Sequence, residues 1–153
     1  MITVSDRVSA GEITDGSGPA VAQVLTSLGF DPEVRVVPDG VESVRAALRV
    51  AIDEGFALVA TTGGTGMAPR DLTPEATREV IEREAPGLSE AMRSVTFGSN
   101  PHGMLSRGLS GISGSTLIIN LPGSAGGAEE SLAVIGPALR HAVALIRGDA
   151  TDH

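Results

Sequence analysis

Three glycines, Gly63, Gly64 and Gly66, fall within the stretch "TTGGTGMAPRD", Thr61 to Asp71. A backbone free of side chains can turn several N–H groups toward one point, and such a nest binds an anion without lysine. Thr62 and Thr65 add hydroxyl donors, and the stretch ends in a carboxylate. A second loop, "NLPGSAGGAEE" (Asn120 to Glu130), sets Pro122, Gly123 and Ser124 just ahead of a helical pattern. Free N–H groups and the helix dipole favour an anion there. Either loop alone is equally well read as a tight turn from strand to helix. Two such loops at one sheet edge point instead to phosphate binding.

A carboxylate beside bound phosphates is suited to Mg²⁺, with water completing the octahedron. Asp71 is the first candidate. Thr73 reads as the N-cap of the next helix with Pro74 at its first position, which leaves Asp71 with no structural duty. Asp39 sits in "PDGVE", where Glu42 completes a capping box, so it starts a helix as readily as it holds a metal. Asp6-Arg7 is a surface ion pair or a site element. Arg107, in "GMLSRG", is a surface charge or a phosphate fork.

Absences narrow the chemistry further. The formal net charge is −8, which argues against a nucleic-acid surface. There is no cysteine, hence no disulfide, zinc thiolate or thiol nucleophile. All 11 basic residues are arginine, which excludes a lysine Schiff base and a Walker-type phosphate loop. With no Tyr or Trp, only Phe30, Phe56 or Phe97 could stack on a flat ligand. His102, His141 and His153 lack metal-ligand spacing, and His141 falls in an apolar helical pattern. No apolar run approaches a membrane span and no leader pattern is visible, so a soluble, cytoplasmic protein without membrane contact is expected.

The elements that must position these loops alternate. Ile2 to Ser5 reads as a strand, Gly18 to Gly29 as a helix, Glu33 to Val37 as a strand and Val41 to Gly55 as an amphipathic helix. "FALVAT" is the next strand, followed by helices over Thr73 to Glu84 and Gly87 to Phe97. "GISGST" reads as a hairpin turn before the buried strand Thr116 to Asn120. The segment Ala128 to Arg147 is helical, with Pro137 expected to break it in two. This order predicts an α/β fold, three layers α/β/α, with a mostly parallel mixed sheet in a single domain over residues 1–153. Ligands of such sheets bind at the carboxyl ends of the strands, where Asp6, Asp39, Thr62 to Asp71 and Asn120 to Ser124 all lie.

"TVSDR", "DGSG", "TTGGTG" with "PRDLTPEAT", "SEAMR", "GMLSRG" and "TLIINLPGS" together resemble the MoaB/Mog family of molybdenum-cofactor biosynthesis, across nearly the whole chain. The likeness extends to its molybdopterin adenylyltransferases and the gephyrin G domain. It implies a homotrimer that transfers AMP from Mg-ATP to molybdopterin and releases diphosphate, with a downstream molybdenum-insertion protein as a partner. The family's two important aspartates fall on Asp39 and Asp71, as catalytic and Mg²⁺-holding residues. Its substrate-binding elements fall on Ser5, Thr62, the Gly63–Gly66 loop, Ser106-Arg107 and Pro122–Ser124. Two departures stand out: Ala125 replaces the usual Pro or Lys, and relatives carry several residues before "TVSDR", so a short first strand or an upstream start is expected. The competing expectations are a MoaB-type relative that binds pterin without adenylylating it, a trimeric scaffold, and an unrelated nucleotide-binding module.

Overall fold

The structure is a computed structural model, and it describes residues 1–96 and 100–149. Six strands form one sheet in the order β2-β1-β3-β6-β5-β4. They are β1 (Ile2–Val4), β2 (Arg35–Val37), β3 (Leu58–Thr62), β4 (Arg83–Glu84), β5 (Ser110–Ser113) and β6 (Thr116–Leu121). β2, β1, β3 and β6 run parallel, while β5 is antiparallel to both β6 and β4. The expected mixed, mostly parallel sheet is therefore present, with the hairpin supplying its antiparallel strand.

The helices are α1 (Asp6–Ser9), α2 (Ser17–Ser27), α3 (Val41–Asp53), α4 (Thr73–Arg78), α5 (Pro86–Val95) and α6 (Ala125–Arg147). A 3₁₀ turn covers Pro101–Leu105. Side chains alternate across β6 with the pleat. Leu117, Ile119 and Leu121 join Val21 and Leu25 of α2, Met92 of α5, and Leu132, Ile135 and Leu139 of α6 in one core. Ile118 faces the other way and joins Ile2, Val4 and Val59 with Val44 and Leu48 of α3 and Ala76 of α4. These two cores make the three layers.

Two expectations fail for physical reasons. Pro137 does not break α6, which runs unbroken over 23 residues. The ring removes the hydrogen bond to the carbonyl of Ala133, but both residues are exposed, so water can satisfy that carbonyl. On the opposite face Leu132, Ile135, Gly136 and Leu139 are buried and hold the helix down. The helix expected to reach Glu84 stops at Arg78. Glu82 N–H and Ala85 N–H instead donate to the carbonyls of Ile112 and Ser110 at 2.8 Å, which makes residues 83–84 an edge strand. Phe97, the expected end of α5, lies outside the described residues.

The chain leaves β1 through α2 to β2 on one side, then returns through α3 to β3 on the other. This is the reversal point of a doubly wound sheet, where a crevice opens between adjacent strand ends.

Candidate functional site

The glycine loop is shaped by contacts that exclude side chains. Gly63 and Gly64 have φ of +92° and +63°. A Cβ at Gly63 would lie 2.2 Å from the Val4 carbonyl oxygen, and one at Gly64 would lie 2.2 Å from Thr73 Oγ1. Gly63 also approaches the second loop, since a Cβ at Gly123 would stand 3.2 Å from Gly63 Cα. Thr73 fixes this geometry: its hydroxyl donates to the Gly63 carbonyl at 2.9 Å and its N–H to the Gly64 carbonyl at 3.0 Å. Thr73 is therefore not the N-cap, a position that falls to Leu72.

Two cavities open on either side of the ridge made by Gly64 and Gly123. One, of about 390 Å³, sits at the reversal point between β1 and β3 and is lined by Ser5, Asp15, Ser17, Asp39, Thr62 and Gly63 among others. The other, of about 340 Å³, is lined by Thr65, Gly66, Arg93, His102, Ser106 and Pro122 among others. Gly64, Asp71 and Gly123 belong to both linings. The N-terminus of α6 also serves both: Ser124 and Gly127 line the smaller cavity and Ala125 the larger. Ser124 caps that helix by accepting from Gly127 N–H at 3.2 Å, and the unpaired N–H groups of its first turn favour an anion.

Asp39 and Asp71 line the larger cavity together. Asp39 is not the cap of α3; that position is Gly40, without a side-chain bond, and Glu42 pairs with Arg45 instead. Asp39 Oδ2 accepts from Asp6 N–H at 2.8 Å, while Asp39 N–H donates to Asp6 Oδ1 at 3.0 Å. Asp71 Oδ2 accepts from Ala68 N–H at 2.9 Å, which is the structural duty the sequence did not reveal. No cluster of three or more acidic or histidine ligands occurs among the described residues. Two carboxylates fit Mg²⁺, which is commonly bound through one or two carboxylates plus substrate phosphates and water.

Residues 1–141 match the family described as a probable molybdopterin binding domain. The chain is 39% identical over 153 residues to the molybdopterin adenylyltransferase of Helicobacter pylori, covering 97% of this chain and 87% of that protein. It is 38% identical over 157 residues to gephyrin of Dictyostelium discoideum, covering 95% of this chain but only 22% of gephyrin. The crystal structure of the molybdopterin biosynthesis enzyme MoaB from Thermus thermophilus superposes with a TM-score of 0.92 at 46% identity, covering 99% of this chain and 96% of that one. The chain belongs to the MoaB/Mog family. The family includes molybdopterin adenylyltransferases.

Of the residues that the MoaB/Mog resemblance assigns, all but Arg107 line one or both cavities. Some of their polar atoms already have protein partners. Thr62 Oγ1 lies 2.9 Å from Ser17 Oγ, and Ser5 Oγ accepts from Val8 N–H to cap α1. Arg107 is not a free surface charge, because its guanidinium is held by protein partners. Its Nε donates to the Gly66 carbonyl at 2.7 Å, and its terminal nitrogens bind the Glu75 carboxylate and the Asp71 carbonyl. It braces the loop that carries Asp71, and it holds the Glu75 carboxyl below its ordinary pKa. Asp6 pairs with Arg70 rather than with Arg7, and that guanidinium lowers its pKa as well.

Asp15, Ser17 and Arg93 also line the cavities but carried no assignment. Asp15 Oδ1 accepts from the N–H groups of Ser17 and Gly18 at 3.1 and 2.9 Å, reaching the first turn of α2 from just ahead of its N-cap Gly16 at the cavity wall. An acidic residue just ahead of a helical pattern was the available signal. Arg93, which the sequence offered only as part of the motif "SEAMR", donates to the Gly108 carbonyl at 2.8 Å. Phe30 and Phe56 pack against the two cores, so His102 is the aromatic ring in the cavity linings among the described residues.

Buried Asn120 ties the elements behind the site together. Its amide donates to Thr61 Oγ1 at 3.0 Å and Thr77 Oγ1 at 2.9 Å, and its oxygen accepts from Leu109 N–H at 3.2 Å. This network joins β3, β6 and α4 beneath the glycine loop.

Proposed function

We propose that the protein is a molybdopterin adenylyltransferase, transferring AMP from Mg-ATP to the terminal phosphate of molybdopterin with release of diphosphate. The observation that carries this reading is the shared wall of the two cavities. Gly64, Gly123 and Asp71 line both, so two phosphorylated ligands, one in each cavity, would meet phosphate to phosphate beside a carboxylate. The reaction needs this arrangement and no covalent nucleophile, in keeping with a chain that has neither Cys nor Lys.

The glycine ridge lets both phosphates approach the backbone closely. The α6 N-terminus adds partial positive charge, and together these orient the attacking phosphate toward the α-phosphorus of ATP. Asp39 and Asp71 would hold Mg²⁺, which supplies charge neutralisation for the nucleotide phosphates when bound. Thr73, Arg107 and Asn120 keep the loop in place, so little reorganisation is required as charge builds. The same proposal takes residues 1–153 as one MoaB/Mog-type domain acting in the cytoplasm as a homotrimer, with its product passed to a molybdenum-insertion protein.

Asp71→Asn tests the reading. Asn keeps an oxygen for Ala68 N–H, so the loop is retained while the charge is removed. Single-turnover formation of adenylylated molybdopterin is expected to fall at least about 100-fold, or about 2.7 kcal/mol of transition-state stabilisation. Melting temperature and molybdopterin binding are expected to stay as in the wild type. Near-normal transfer would remove Asp71 from the mechanism. The chain is similar to MoaB as well as to Mog structures, at 46% and 43% identity, which leaves pterin binding without transfer as the second reading. A wild-type protein that binds molybdopterin and forms no adenylylated product would establish it.

A further inference from the structure

Asp39 and Asp71 reach the same cavity from loops far apart in sequence, and each loop end is mobile in principle unless something ties it down. The tie is visible. Arg70, next to Asp71, donates Nε to Asp6 Oδ2 at 2.6 Å and a terminal nitrogen to Asp6 Oδ1 at 2.9 Å, a two-point fork. The same terminal nitrogen donates to the Asp39 carbonyl at 2.8 Å. Asp6 in turn is cross-bonded to Asp39 through both backbone N–H groups and both carboxylates. One guanidinium therefore spans the ends of β1 and β2 and the loop after β3.

We propose that Asp6 and Arg70 form a latch that sets the spacing of Asp39 and Asp71 for a metal–nucleotide, making both positioning residues for AMP transfer. This rests on the adenylyltransferase reading for its reaction, but its binding consequence can be tested without it. The pair adds little to stability. The side chains of Arg70 and Asp6 are 63% and 43% exposed, and exposed ion pairs contribute little to folding. What the fork supplies is direction, because a planar guanidinium bound at two points fixes the orientation of its partner. Residues that orient metal-holding carboxylates typically change affinity or rate by about 10- to 100-fold when removed.

The test uses Arg70→Gln, Asp6→Asn and the charge-keeping Arg70→Lys, with Arg78→Gln as control. Arg78 makes a comparably exposed contact with Glu84, away from both cavities. Uptake of Mn²⁺ by the protein is titrated by electron paramagnetic resonance with ATP present and molybdopterin absent, over the baseline of Mn²⁺ with ATP alone, and single-turnover AMP transfer is measured across Mg²⁺ concentrations. Arg70→Gln and Asp6→Asn are expected to weaken Mn²⁺ uptake by about tenfold. They should raise the Mg²⁺ needed for half-maximal transfer to match, with unchanged melting temperature. Arg70→Lys should recover only part of this, since a point charge cannot make the fork. Mn²⁺ uptake equal to the wild type in Arg70→Gln overturns the latch, as does a loss matched by lowered melting temperature or by Arg78→Gln. If the wild type takes up Mn²⁺ with ATP but transfers no AMP, the adenylyltransferase reading fails. The latch then stands or falls on the Mn²⁺ titration. A wild type that takes up no Mn²⁺ with ATP overturns both.

Discussion

Gly64→Ala is predicted to damage folding and ligand binding by two separable routes. The first is conformational: at φ of +63° an L-residue costs about 1–2 kcal/mol. The second is steric. The new Cβ would stand 2.2 Å from Thr73 Oγ1, so that hydroxyl must leave its place and its bond to the Gly63 carbonyl, at about 1–3 kcal/mol. The single variant should therefore lose about 2–5 kcal/mol, a large share of the stability of an ordinary domain. Thr73→Ala alone should lose about 2 kcal/mol, from that hydrogen bond and a buried methyl group. In Gly64→Ala/Thr73→Ala the clashing oxygen is gone, so the pair should be less destabilised than the sum of the singles by about 1–3 kcal/mol. Urea unfolding of the four proteins measures this coupling. Simple additivity, within about 0.5 kcal/mol, would refute the claim that Thr73 Oγ1 is what the glycine makes room for. The double variant should still bind ATP at least about tenfold more weakly than Thr73→Ala. Its Cβ remains 3.4 Å from Asp39 Oδ1, on the ridge where phosphate must approach. Calorimetric titration reads that difference.

Glu75 yields a prediction with a definite sign. Arg107, with a smaller contribution from Arg78, lowers its folded pKa below the ordinary 4.5. The stabilisation it contributes is complete above about pH 4.5 and is lost as pH falls through the lowered folded value. Glu75→Gln should melt below the wild type at pH 7 and approach it as the pH is lowered past 4, so melting curves that stay parallel from pH 7 to 3 would contradict the pairing. Sedimentation at micromolar concentration should give three times the 15.5 kDa chain mass for the proposed homotrimer, and a clean monomer would end that proposal.

The sequence determined the class of fold because its signals are local. Helical spacing of Val44, Leu48 and Ala51 marks α3, and the apolar run "TLIIN" marks the buried β6. Their alternation with the other strands implies a parallel sheet, and the strand-end rule then collects Asp39, the glycine loop and Pro122–Ser124 at one edge. Glycine at 63 and 64 was legible as a backbone constraint, since few other residues accept such φ values. What the sequence could not determine is which side chain satisfies which. Asp39 resembled a helix cap because Glu42 stands at the right spacing, yet its carboxylate partner is the N–H of Asp6, 33 residues away. Arg70 finds Asp6 across 64 residues and Arg107 finds Glu75 across 32, and no local pattern encodes such pairings. Pro137 looked like a break because propensity counts the lost hydrogen bond. Burial of Leu132, Ile135 and Leu139 against the sheet, with the orphaned carbonyl left to water, decided for a continuous helix. Local chemistry chose the elements and the loops. The tertiary contacts alone chose the partners, because a hydrogen bond or ion pair depends on distance in space, and sequence fixes distance only over a turn or two.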